Sequence, residues 1–420
     1  MEQVEFFPEE KDYIAVRGLD TMLDFARFRP NAPDLFLDGL ELAEDLQFGP
    51  GIVLYTRGTA LTRERITRLL QFREDNPAAQ FDFKIKRSLK LIQSLHKEMK
   101  SKILQSFKRN QEIKDYHELL NGINFNIDDF ISELLAEEKI VLTFYYMYFL
   151  CESSEKKRSV YFLEHSINVA FFSLAMVSSD RFSNIIQKEK TRIQELFKVA
   201  LFHNFGALEH LDRILELPEE EQQKQYWKAN HKGYFTLGGY EFDFGILDSI
   251  RLVCEYFMGR KDFISRSRWP ELMANIVLVA ETFLRTQTGL FDSPQPARQT
   301  IDQLNVRAME KDLYGPAVES LTLGLNLRDI FDFYQEMDSL IKECPNSSAC
   351  PYPLTGFKSP TIIICKNTVR ECEHLEYSIK AVVLVKPLKE IQPGTYHRCK
   401  LLTPRLMSFY DRYYEEIKDK

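Results

Sequence analysis

Residues 200–210 read "ALFHNFGALEH" (Ala200 to His210), an apolar run that ends in a histidine and an asparagine, with a glycine two residues on. A histidine followed by an aspartate at the end of a buried helix is a strong metal-site signal, because both ligands are held on one rigid element. Asn204 keeps the shape of that signal and removes its charge. The upstream run "TRIQELFKVALFH" has helical periodicity, so His203 falls at a helix end. What the asparagine does to the chemistry depends on the residues around it.

Outward from this stretch, 128–342 is overwhelmingly helical in pattern, with few Gly or Pro. Candidate helices are "ISELLAEEKIVLTFYYMYFLC", "FLEHSINVAFFSLAMVS", "GILDSIRLVCEYFM" and "PELMANIVLVAETFLRTQ". Within them lie His165 in "LEHSINVA", His231 in "KANHKGYF" and Glu281 in "LVAETFLR". Histidines and a carboxylate on facing helices are how bundle-like folds build metal sites. Taken singly, each histidine reads as a satisfied core or capping residue; their order and contexts carry the signal.

Those contexts are specific. The region 150–325 resembles the HD-GYP family, bacterial phosphodiesterases of the HD superfamily of metal-dependent phosphohydrolases that cleave cyclic di-GMP. "EHSINVAFFSLAM" is similar to its first-histidine helix, and "ALFHNFGALEHLDRIL" to its "LLHDIGKIGIPDEIL" segment. "NHKGYFTLGG" stands in the place of "HPEIGAEIL", and "IVLVAETFLRTQTG" resembles the helix written "ILAVADVFDALTS". The N-terminal "GIVLYTRGTALTRERITRLLQF" also looks like the segment that often precedes such domains. The resemblance implies an all-α domain with two or three metal ions, commonly iron or manganese. His165, His203 and His231 match ligand positions, and Glu281 stands where the family has a ligand aspartate.

The departures bear on function. The bridging aspartate is Asn204, and an amide oxygen brings no charge to hold two dications together. The family's histidine pair falls on Val253 and Cys254, or one residue on, at Cys254 and Glu255; neither register supplies two imidazoles. The lysine of its HDxGK pattern is Ala207, and "RKDFISRS" replaces the Gly-Tyr-Pro loop. Cleavage by a two-metal-activated water therefore lacks most of its parts. His165, His203, His231 and Glu281 could still hold one transition metal, whether zinc, iron or manganese. Arg251, Arg260, Lys261, Arg266 and Arg268 flank the lost loop and read either as phosphate contacts for a bound cyclic dinucleotide or as a solvated basic loop.

The flanks differ in kind. Residues 1–80 mix the β-like runs "DYIAV" and "GIVLYT" with turn signals and the helical "LTRERITRLLQF", which reads as a small α+β domain. From Lys84, within a connector spanning 81–127, the spacing predicts a helix with Ile85, Leu89, Ile92, Leu95, Met99, Ile103 and Phe107 on one face. Its other face carries Lys84, Lys86, Arg87, Lys90, Lys97, Lys100, Lys102, Lys108 and Arg109, offset by Glu98. That face is either an electrostatic surface for a nucleotide, phospholipid or acidic partner, or the solvated side of a connector. Residues 343–420 turn to β-branched runs, "TIIIC" and "IKAVVLVKPL", before an expected final helix at "RLMSFYDRYYEEIKD", and form a second α+β module. There Cys344, Cys350, Cys365 and Cys372 could bind a structural zinc in a reducing compartment, or be independent buried thiols.

The composition narrows the rest. In 420 residues, Lys+Arg 55 against Asp+Glu 62 leaves a net charge of -7, which gives no global argument for nucleic acid or an anionic membrane. No apolar run approaches the roughly 18 residues of a membrane span, and the acidic N-terminus is unlike a signal peptide, so a cytoplasmic location is expected. The expected fold is mainly α, a central HD-GYP-like helical domain between small α+β domains. The expected function is non-catalytic bacterial signalling, by cyclic di-GMP sensing or by binding a protein partner or a second copy, with a divergent metal-dependent phosphohydrolase as the alternative.

Overall fold

A computed structural model describes residues 4–7, 12–32, 36–49, 51–153, 158–179, 182, 190–264, 268–289, 291, 293–328, 332 and 335, and four short strands between 357 and 399. The expected continuation of the helical region to 342, the final helix and Cys344, Cys350, Cys365 and Cys372 lie outside the described residues.

The N-terminal part is built on β1 (Val4–Glu5), β2 (Tyr13–Arg17), α1 (Leu19–Phe25), β3 (Leu46–Gln47), β4 (Val53–Tyr55), α2 (Arg63–Asp75) and β5 (Asp82–Lys86). β2 lies between β1 and β5 in an antiparallel sheet, with Ile14 opposite Ile85 and Val16 opposite Phe83. All four side chains are buried, as period-two alternation requires of a half-covered sheet. β3 and β4 form a separate hairpin that takes in "GIVLYT". α2 starts where Thr62 accepts a hydrogen bond from the Arg65 amide.

Ile85 therefore belongs to a strand and not to the connector helix. The helix, α3 (Leu89–Glu112), starts at Ser88, whose hydroxyl caps the Leu91 amide, and Leu89 is 73% exposed. Leu91, Leu95, Met99, Ile103 and Phe107 are buried. On the charged side, Lys100 pairs with Asp128 and Arg109 with Glu164. Lys102 sits over the Tyr148 ring at 4.9 Å, its ammonium pulled down by burial and by Arg27.

The helical body continues with α4 (Lys114–Asn121), α5 (Ile127–Leu134), α6 (Glu138–Ser153), α7 (Arg158–Val177), α8 (Lys190–Phe202), α9 (Phe205–Leu208), α10 (Leu211–Leu215), α11 (Glu219–Gly239), α12 (Phe244–Phe257), α13 (Trp269–Thr288), α14 (Ala297–Met309) and α15 (Gly315–Gly324). The run expected as one helix over 131–151 is divided between α5 and α6. α13 is the axis of the body: every residue from Glu271 to Leu284 is buried, and all but Glu271, Asn275, Glu281 and Thr282 are apolar. α7 packs on α8 and α13, and α12 on α11 and α13. Trp227 of α11 stacks on Phe257 of α12 at 4.1 Å. α9 meets α11 at two glycines: a Cβ on Gly206 would lie 2.3 Å from the Ala229 carbonyl oxygen and 2.6 Å from the Gly233 Cα.

The N-terminal sheet and the helical body share one core. The Tyr145 hydroxyl of α6 donates to the Phe25 carbonyl at 2.6 Å, and Arg27 pairs with Glu98 of α3. No helix of the described residues is long and apolar enough to cross a membrane. Towards the C-terminus, β6 (Phe357–Ser359) pairs with β7 (Ile362–Ile364), and β8 (Leu375–Ala381) with β9 (Gly394–Cys399), both antiparallel.

Candidate metal centre

Three buried helices aim side chains at one point. His165 comes from the middle of α7, His203 follows the last residue of α8, and Glu281 lies in α13. His165 is 2% exposed, and His203 and Glu281 are 0% exposed. One atom from each lies within 4.8 Å of the others, a grouping that could hold a metal ion. His165 Nε2 stands 2.5 Å and His203 Nε2 3.1 Å from the same carboxylate oxygen, Glu281 Oε2.

The proton arrangement follows from the partners. His203 Nδ1 lies 2.6 Å from the Ala200 carbonyl, which can only accept, so Nδ1 carries the hydrogen. A neutral His203 then turns an Nε2 lone pair toward a carboxylate oxygen. Two acceptors at 3.1 Å need a positive charge between them, either a proton that makes an imidazolium or a cation. Backbone hydrogen bonding at one ring nitrogen with the other left open is how metal-ligating histidines are commonly oriented. Burial by itself would push the Glu281 carboxyl up, but the charges and hydrogen bonds of His165 and His203 outweigh it and hold Glu281 well below the usual carboxylate range.

The donor set fits one ion. Ligand bonds of roughly 2.0–2.2 Å in a tetrahedron place donor atoms roughly 3.3–3.6 Å apart. The His203–Glu281 pair is near that at 3.1 Å, while the His165–Glu281 pair at 2.5 Å would have to open by about 1 Å to ligate. His165 Nδ1 and Glu281 Oε1 are buried without a hydrogen-bond partner among the described residues. The first is an orphan donor if Nε2 binds a metal, and the second is a spare ligand atom.

The position expected to bridge a second ion, Asn204, brings no charge. The Asn204 amide Nδ2 donates to Ser166 Oγ at 3.3 Å, and Asn204 Oδ1 accepts from Asn230 Nδ2 at 3.4 Å. Asn230 Oδ1 accepts from the Ala207 amide at 2.7 Å. Asn204 thus acts as a polar tie between α7 and α11. Val253 and Cys254 of α12 are wholly buried, and burial, followed by the charges of Glu255 and Glu281, raises the Cys254 thiol far above its ordinary value. Tyr226 is also wholly buried, and burial followed by the Glu281 charge pushes its phenol up.

His231 is not brought to the cluster. On α11 the inward position belongs to Asn230, and the next residue is turned about 100° away. His231 is partly exposed, with Glu255 at 3.9 Å and the Tyr234 ring beside it. The cations expected to meet phosphate are held by neighbouring carboxylates. Arg251 contacts Asp248 and Glu255, both at 2.6 Å; Arg260 lies near Glu255 and Asp262; Lys261 pairs with Asp312; and Arg268 pairs with Glu271. Arg266 lies outside the described residues. Sequence reasoning missed Ser166 and Asn230, although each stands next to a singled-out histidine.

Fold and site together define a mainly helical chain with a buried two-histidine, one-carboxylate cluster. The chain matches no known protein family, no curated protein and no solved structure.

Proposed function

We propose that this chain is a non-catalytic regulatory protein built on a degenerate HD-GYP-like helical domain, in which the His165–His203–Glu281 cluster holds at most one transition metal. The observation that carries the reading is Asn204: its amide is used as donor and acceptor between Ser166 and Asn230, so the position expected to bridge two metals ties helices together instead. A metal ion in the cluster would supply positive charge to a buried carboxylate and cross-link α7, α8 and α13. The burial of all three ligands favours that structural role over substrate activation. Of the two regulatory modes, protein interaction is favoured over cyclic-dinucleotide sensing, because Arg251, Arg260 and Lys261 are already in ion pairs.

Elemental analysis of protein purified without chelator is expected to find no more than one iron, manganese or zinc per chain, and an assay with cyclic di-GMP is expected to show no linear product. Two metals per chain together with hydrolysis would establish the phosphohydrolase alternative.

A further inference from the structure

The cations beside the lost loop are paired, but another set is not. Between the segment 210–217, α11 and the end of α12 lies an open cavity of ≈ 550 Å³. His210, Arg213, Lys228, His231 and Lys232 line it, and no aspartate or glutamate is among its lining residues. Arg213, Lys228 and Lys232 form no ion pair or side-chain hydrogen bond among the described residues. Ile214, Leu217 and Met258, the last 43% exposed, give the lining its apolar part.

Lys228 and Lys232 are four residues apart on α11, so their like charges face each other on one side of the helix and repel. Arg213 adds a third like charge across the cavity. In a chain whose net charge is -7, and whose other basic side chains are so often paired with carboxylates, the gathering of these cations beside apolar side chains would suit an anion. Several donors around a concave volume suit a phosphate group, which accepts charge-assisted hydrogen bonds on several oxygens at once. The volume falls within the roughly 300–1,000 Å³ of small-molecule sites. We propose that this cavity binds a small organic phosphate, with Arg213, Lys228 and Lys232 on the phosphate and Ile214, Leu217 and Met258 under the apolar part of the ligand. The site is separate from the buried metal cluster and goes beyond the function proposed above.

Calorimetric titration with ADP and with inorganic pyrophosphate tests it on the full chain and on the Lys228→Glu/Lys232→Glu variant, both positions being exposed. ADP is expected to bind saturably, pyrophosphate about tenfold more weakly for want of an apolar part, and ADP affinity is expected to fall about tenfold or more in the variant. Thermal midpoint and metal content should be unchanged in the variant, which separates this site from the cluster. Absence of saturable ADP binding at millimolar concentration overturns the proposal, as does undiminished ADP binding by the variant. Pyrophosphate binding as tight as ADP also overturns it, and so does binding of polyglutamate without ADP, which would identify the cavity as a dock for an acidic protein segment.

Discussion

Asn204 needs to donate and accept at the same time, which an amide can do and an ionised carboxylate cannot. Ser166 Oγ gives its proton to the Phe162 carbonyl, so its lone pairs face the Asn204 Nδ2. In Asn204→Asp, an acceptor replaces that donor and a charge is buried beside it. The variant is expected to lose about 2–3 kcal/mol of stability in urea denaturation and to gain no hydrolysis of cyclic di-GMP. The sequence makes Asn204 conspicuous through its neighbour His203. It does not display the partners, because Ser166 and Asn230 are 38 and 26 positions away and polar pairing between helices has no periodicity to read. His203 and Glu281 are legible for the opposite reason: each is a polar group in an otherwise apolar buried run. His231 is misjudged because its order along the chain matches while its place on the helix face does not.

The crossing of α9 and α11 depends on the lack of two side chains. Alanine in place of glycine within a helix ordinarily stabilises by up to about 1 kcal/mol. At Gly206 or Gly233 the added methyl would instead meet backbone at 2.3 Å. Gly206→Ala and Gly233→Ala are each expected to destabilise by about 2–3 kcal/mol, measured by chemical denaturation; a gain in stability would mean that the two helices do not meet there. Long helices such as α7 and α13 are legible because their apolar content runs for several turns. Short elements are not: "DFKIK" alternates with period two, yet its Ile85 also falls on the helical spacing that continues through Ile92 and Leu95. The strand wins because Phe83 and Ile85 complete the sheet beside β2.

At the level of the whole molecule, the N-terminal sheet is tied into the helical body. Phe6, Phe25 and Tyr145 meet edge to face, and the Tyr145 hydroxyl donates to a carbonyl from α1. Division into a separate domain over 1–80 and a connector follows from the break in pattern at "EDNPAAQ" and the helical spacing after it, but pattern along the chain carries no information on which surfaces meet. The two parts are expected to unfold together. Amides of β2 and α13 should reach the same limiting protection in native-state hydrogen exchange, and Tyr145→Phe should lower that limit by about 1 kcal/mol for both. Separate limits for the two elements would show independent domains.

The depth of the His165–His203–Glu281 cluster has a consequence in time as well as in energy. With its ligands on three helices of a close-packed core, an ion can enter or leave only when α7, α8 and α13 part, which is a step of unfolding. Loading would then accompany biosynthesis, and the bound element would record which metals were available when each molecule folded.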